Sequence, residues 1–183
     1  MKRFMTILVL AMLVMAPAAM AANTYGWTLS NSPASSLATT GPFAPGLLTL
    51  YLWLHCVGMD GVAAAEFDLQ SVNPANILLA FTALNGFLNA GGATNLLLAT
   101  PCTAGPVFAG TVLILSNAPG EYCLKNSAAN NKNVSVDCTN FLEWVNDIEG
   151  FSNTGAPAGC RATLCPIISV EESSWGEIKG LYR

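Results

Sequence analysis

Charge is scarce in this chain. Only 10% of its 183 residues are Asp, Glu, Lys or Arg, against roughly 25% in an ordinary soluble domain. Basic residues are scarcest, 7 against 11 acidic, too few to displace the counterions of a nucleic acid. The scarcity excludes an ordinary disordered chain as well, because so much apolar surface would collapse. Histidine occurs once, as His55. There is no Gly-x-Ser-x-Gly nucleophile elbow, no Cys-x-x-Cys pair and no Asp-x-Asn-x-Asp-Gly calcium loop. These absences remove the motif-bearing hydrolases, the thiolate zinc sites and the EF-hand-like modules. Beyond the first residues, no stretch reaches the 18 or so continuous apolar residues of a membrane span.

What is present begins with a leader. Lys2 and Arg3 precede an apolar run from Phe4 to Met15, and Ala19-Met20-Ala21 supplies small-x-small. The pattern predicts a signal peptide over residues 1–21, with the mature chain starting at Ala22. Its removal leaves five basic residues against eleven acidic ones. The expected location is therefore secreted, cell-surface or periplasmic.

Export gives the cysteines a meaning. Cys56, Cys102, Cys123, Cys138, Cys160 and Cys165 are an even set in an oxidising compartment, which favours three disulfides. Fifteen pairings are possible. Proximity in sequence suggests Cys160–Cys165, Cys123–Cys138 and Cys56–Cys102. Closing the Cys123–Cys138 loop would contribute about 3 kcal/mol in the chain-entropy model.

Residues 22–170 read as an antiparallel β-sandwich domain. Leu47–Val57 puts Leu48, Leu50, Leu52, Leu54 and Cys56 on one face and Thr49, Tyr51, Trp53 and His55 on the other. Both faces are substantially apolar, which predicts a central strand. Val62–Leu69 alternates apolar with acidic. Further strands are expected at 25–30, 77–83, 96–100, 107–115, 121–124, 133–138 and 164–170, punctuated by turn signals such as Asn85-Gly86 and Pro119-Gly120. Asn31–Gly46, rich in Ser, Thr, Pro and Ala, reads as a long loop. In residues 171–183 Ser174 and Glu177 have capping-box spacing, and Trp175, Ile178 and Tyr182 share a helical face, so a short amphipathic helical tail is expected.

Two resemblances follow. Ala44-Pro45-Gly46, the strand LLTLYLWLHC and the run GVAAAEFDL are similar to the opening of cohesin-like and related immunoglobulin-like secreted sandwiches; Gln70-Ser71-Val72-Asn73-Pro74 stands where those domains usually carry Tyr-Asp-Pro. The tail Ser174-Trp175-Gly176-x-Ile178-Lys179-x-Leu181-Tyr182-Arg183 resembles that of a group of uncharacterised exported bacterial proteins. That likeness implies a surface or secreted protein of unassigned activity. It also implies that Trp175, Ile178, Lys179, Tyr182 and Arg183 form a recognition or sorting signal.

Candidate chemistry is thin. His55 with a serine and an acid could make a hydrolase triad, and Glu66 with Asp68, or Glu143 with Asp147 and Glu149, could serve acid–base chemistry on a sugar. Asp60, Glu66 and Asp68, or Asp137, Asp147 and Glu149, are weak calcium candidates. An exposed Trp144, and Trp27, could stack on carbohydrate. Asn133-Val134-Ser135 is a glycosylation sequon. The expectation that results is an exported, non-enzymatic sandwich without cofactor, acting in structure or protein interaction, with a carbohydrate-binding module as the alternative and a hydrolase third.

Overall fold

A computed structural model describes residues 25–160 apart from Met59. Among these residues there are eleven strands and no helix: β1 Tyr25–Ser30, β2 Gly46–Cys56, β3 Val62–Ser71, β4 Ile77–Ala83, β5 Leu88–Asn89, β6 Asn95–Thr103, β7 Val107–Ser116, β8 Glu121–Lys125, β9 Val134–Asp137, β10 Glu143–Glu149 and β11 Phe151–Ser152. The expected strand at 164–170, the tail at 171–183 and the leader lie outside the described residues.

The strands form two leaves. One runs β4-β7-β2-β1; in the other β3 carries β6 and β5 on one side, and β8 with β11, and β9 with β10, on the other. The pairings are antiparallel with one exception. Strand β10 runs parallel to β1, with Tyr25 opposite Asn146 and Thr28 opposite Glu149, so it belongs to both leaves. The all-antiparallel expectation is corrected there.

Period-two alternation explains the core. Leu50, Leu52 and Leu54 of β2 face Phe67, Leu69, Leu96 and Leu98 of the second leaf, all fully buried or nearly so. Trp27 lies between the leaves, its ring 5.1 Å from Phe67 and 6.0 Å from Phe87. Its indole nitrogen donates to Ser135 Oγ at 3.0 Å, which satisfies the buried N–H across the sandwich. Such a side chain contributes on the order of 3–5 kcal/mol against truncation.

The cysteine pairing differs from sequence proximity. Cys123 on β8 bonds Cys160, with Cα atoms 5.8 Å apart, which replaces both the Cys123–Cys138 and the Cys160–Cys165 pairings. Gly150 donates its amide to Cys160 O, so this end of the described chain folds back along β8. Cys56 is also disulfide-bonded, but Cys102 is free, so Cys56–Cys102 is overturned as well. Cys165 lies outside the described residues.

Candidate functional site

The two outer faces of the sandwich are treated differently. On the first leaf, the segment after β1 folds back over β1 and the adjoining end of β2. Thr28 Oγ1 donates to Ser36 O at 2.9 Å and Ser30 Oγ to Ser35 O at 2.5 Å. Trp53 Nε1 donates to Ser32 O at 3.2 Å, and His55 Nδ1 lies 2.6 Å from Ser36 Oγ. This cover explains why all six residues of β1 are buried. It also explains why Thr28 and Ser30, polar residues on the outer side, have partners rather than water.

The outer face of the second leaf is covered only in part, by the 126–133 segment, whose Asn130 and Ala128 reach Glu66 and Asp68. Its residues align across four strands: Leu97 of β6, Glu66 of β3, Val134 of β9 and Val145 of β10 stand directly opposite one another. A second row runs Leu88, Ala99, Ala64, Val136 and Glu143. Leu88 is 71% and Val145 78% exposed, and Leu97 is exposed too. Directly opposed residues on one face sit about 4.5–5.5 Å apart, so these side chains make one continuous strip. Its polar members are tied down: Glu66 Oε2 accepts from Asn130 at 2.7 Å, and Glu143 pairs with Lys132. Asp68 accepts from Asn95 Nδ2 at 2.6 Å and from the Ala128 amide at 2.9 Å. Beside the strip, an open groove of about 590 Å³ is lined by Asp68, Gln70, Ile77, Leu78, Thr94 and Lys125.

The sequence candidates separate on this frame. Trp27 is buried in the core and offers no stacking surface. Trp144 is half-buried, and its Nε1 donates to Asp137 Oδ2 at 3.0 Å. That bond, with backbone amides including that of Asn140, holds the Asp137 carboxyl below its ordinary range. Neither indole is a free platform. His55 meets Ser36, yet among the described residues no carboxylate is bonded to its ring, so the orienting acid of a triad is missing there. Glu143, Asp147 and Glu149 are distributed along β10, where Glu149 accepts from Thr39 Oγ1 at 3.1 Å and burial raises the Asp147 carboxyl.

Among the described residues, the one Cys, His, Asp or Glu trio close enough to share an ion is Glu121, Cys123 and Cys160. Its two sulfurs are joined to each other, which removes them as thiolate ligands. Asp60, Glu66 and Asp68 form no such group, nor do Asp137, Asp147 and Glu149. The sequon is also closed. Asn133 is buried and exchanges side-chain hydrogen bonds with Asn146, and Ser135 is fully buried against Trp27.

The strip itself escaped the sequence reading, because its members come from five separate strands, among them the two-residue β5 and the irregularly patterned β10. Only their register across strands assembles them.

Solved structures share this arrangement. The sixth cohesin of scaffoldin B from Acetivibrio cellulolyticus, solved with a Cel5 dockerin mutant, superposes with a TM-score of 0.50 at 9% identity, over 70% of this chain and 96% of its own. The OlpA cohesin of Clostridium thermocellum, in complex with the dockerin Doc918, gives 0.50 at 12% identity over 71% and 97%. The fold is cohesin-like. No protein-family model and no curated protein matches the sequence, so the relationship is one of architecture.

Proposed function

We propose that the chain is an exported, non-enzymatic interaction module that binds a protein partner through the outer face of the β5-β6-β3-β9-β10 leaf. The observation that carries this reading is the in-register strip of Leu97, Glu66, Val134 and Val145, whose Leu97 and Val145 stay exposed while the chain covers the outer side of β1 with its own loop. A largely apolar strip that includes fixed carboxylates suits a protein surface that brings apolar anchors and cationic groups. The structural neighbours lend support, since both were solved bound to dockerins. A non-catalytic role is supported by the isolated His55–Ser36 pair and by the scattered carboxylates. Export is supported by the leader-like residues 1–21 and by the disulfide between Cys123 and Cys160. A sorting role for Trp175, Ile178, Lys179, Tyr182 and Arg183 remains part of the proposal, resting on the likeness of the tail.

Equilibrium binding to a panel of dockerin modules tests the face. Leu97→Arg and Val145→Arg, placed at the two ends of the strip, should each weaken binding by about tenfold or more. Leu47→Arg, on an exposed position of the opposite leaf, should leave it unchanged. Equal loss in all three variants would overturn the assignment of the face. Absence of binding to any dockerin would remove that class of partner.

A further inference from the structure

Two thiols stand apart from the cysteine chemistry described so far. Cys102 near the end of β6 and Cys138 just after β9 are both free, and Cys102 is exposed. They lie on opposite sides of β3, since Val62 pairs with Thr103 on one flank and with Asp137 on the other. Regular spacing would hold those flanks about two strand widths apart, roughly 9.5 Å. Here, however, the two side chains come close enough for Cys102 to be among the groups that push the Cys138 thiol up.

Three local features bring them together. The ladders on both sides of β3 shift register between Val62 and Ala64. Cys102 takes a left-handed backbone conformation, φ 35°, which redirects its side chain from the regular strand path. Gly61, at φ 72°, has no side chain where a Cβ would lie 3.5 Å from Cys138 Sγ and 3.3 Å from Thr103 O. The bare glycine leaves a passage between the two strands beside β3.

We infer that Cys102 and Cys138 form a third disulfide, a clasp that ties the end of β6 to the end of β9 across the start of β3. The reaction is thiol–disulfide exchange with a small disulfide such as oxidised glutathione. The exposed Cys102, as thiolate, attacks one sulfur of the reagent and expels one reduced thiolate. Cys138 loses its proton and attacks Cys102 Sγ, forming the Cys102–Cys138 bond and expelling the second. The protein gives up two electrons and two protons, and one disulfide reagent becomes two thiols. Cys102 is the entry point because burial, together with the neighbouring Cys102, Asp137 and Asp60, pushes the Cys138 thiol up to about 12. Conversion of Cys102 to the mixed disulfide removes one of those opposing influences.

The geometry selects this product over a metal site, since Asp60 and Asp137 do not join the two thiols in a group of ligand atoms close enough to share an ion. The clasp joins the ends of β6 and β9, beyond the last row of the proposed binding strip. Its chemistry, however, depends only on the two sulfurs and stands whatever that strip binds.

The experiment is peptide mapping under non-reducing conditions, with alkylation of free thiols, on the full chain after equilibration with oxidised glutathione. The expected result is a Cys102–Cys138 cross-linked peptide, loss of alkylation at both residues, and a higher Tm than the form reduced at these two sites. In Cys102→Ser, Cys138 should become alkylatable while Cys123–Cys160 persists. Because neither thiol is bonded in the folded structure, the Cys102→Ser, Cys138→Ser double variant should fold, and its Tm should become insensitive to the glutathione ratio. Two fully alkylatable thiols in oxidised protein that holds Cys123–Cys160 would overturn the inference. So would linkage of either residue to any other cysteine.

Discussion

The outer faces of the two leaves use the same alternation of side chains for opposite ends. Over β1, the sequence places Thr28 and Ser30 outward and then returns a Ser-rich segment whose carbonyls accept from them. On the β6-β3-β9-β10 face, the outward positions are Leu97, Glu66, Val134 and Val145; the 126–133 segment ties down Glu66 through Asn130, while Leu97 and Val145 stay exposed. A strand face that hydrogen-bonds to its own chain is finished. A face of leucines and valines edged by carboxylates that are already hydrogen-bonded offers apolar area with little polar desolvation to offset. Scarcity of charge therefore need not mean a uniformly inert surface.

Both faces depend on one residue of the core. Trp27→Ala removes the ring between the leaves together with its bond to Ser135 and should destabilise by about 3–5 kcal/mol in urea unfolding. Preservation of stability would mean the leaves do not rely on this contact. On the covered face, Ser30→Ala deletes the donor to Ser35 O and should cost about 1 kcal/mol, with faster amide exchange over residues 31–40. If exchange there were unchanged, the loop would be held by other means.

The Asp137–Trp144 bond makes the stability of the second leaf depend on pH. The folded carboxyl titrates below its unfolded value near 3.9. Its contribution is therefore complete above about pH 4 and is lost as pH falls through the lower folded value. Asp137→Asn should flatten the acid limb of a Tm-against-pH curve, and the acid-induced change in Trp fluorescence should weaken with it. The smallest effect belongs to the open face. Leu88→Asn and Val145→Thr should change stability by no more than about 0.5 kcal/mol, because most of each side chain is already in water. A larger loss in thermal unfolding would mean this face is structural.

Most of the sandwich was legible because its long strands obey period two. The expected Leu47–Val57 strand appears as Gly46–Cys56 with Leu50, Leu52 and Leu54 inward, and the Ser-rich stretch after β1 is the loop it resembled. Strand β10 was not legible, since its pattern is inverted. Val145 faces water, while the polar Asn146 and Glu149 are buried against Asn133 and Thr39. Residues chosen for hydrogen bonding across a junction of two leaves carry no hydrophobic period. The disulfide was missed for a related reason. Cys123 meets Cys160 because β11 runs beside β8 and returns the chain there, a contact that proximity in sequence does not reveal. The exposed strip was not legible without register, because its members, from Leu88 to Val145, lie far apart in the chain.

Strand β1 carries one further consequence, for the order in which the molecule can be completed. One edge is paired to β2, its near neighbour in sequence, but the other waits for Asn146 to Glu149, more than a hundred positions downstream. Synthesis delivers β1 first and β10 among the last described strands. Until β10 arrives, the first strand has an open edge and the two leaves have no shared member. Closure of the sandwich is thus a late, long-range event with a large loop-entropy term. The folding rate of the whole domain should depend on a strand whose own sequence shows little inclination to be one.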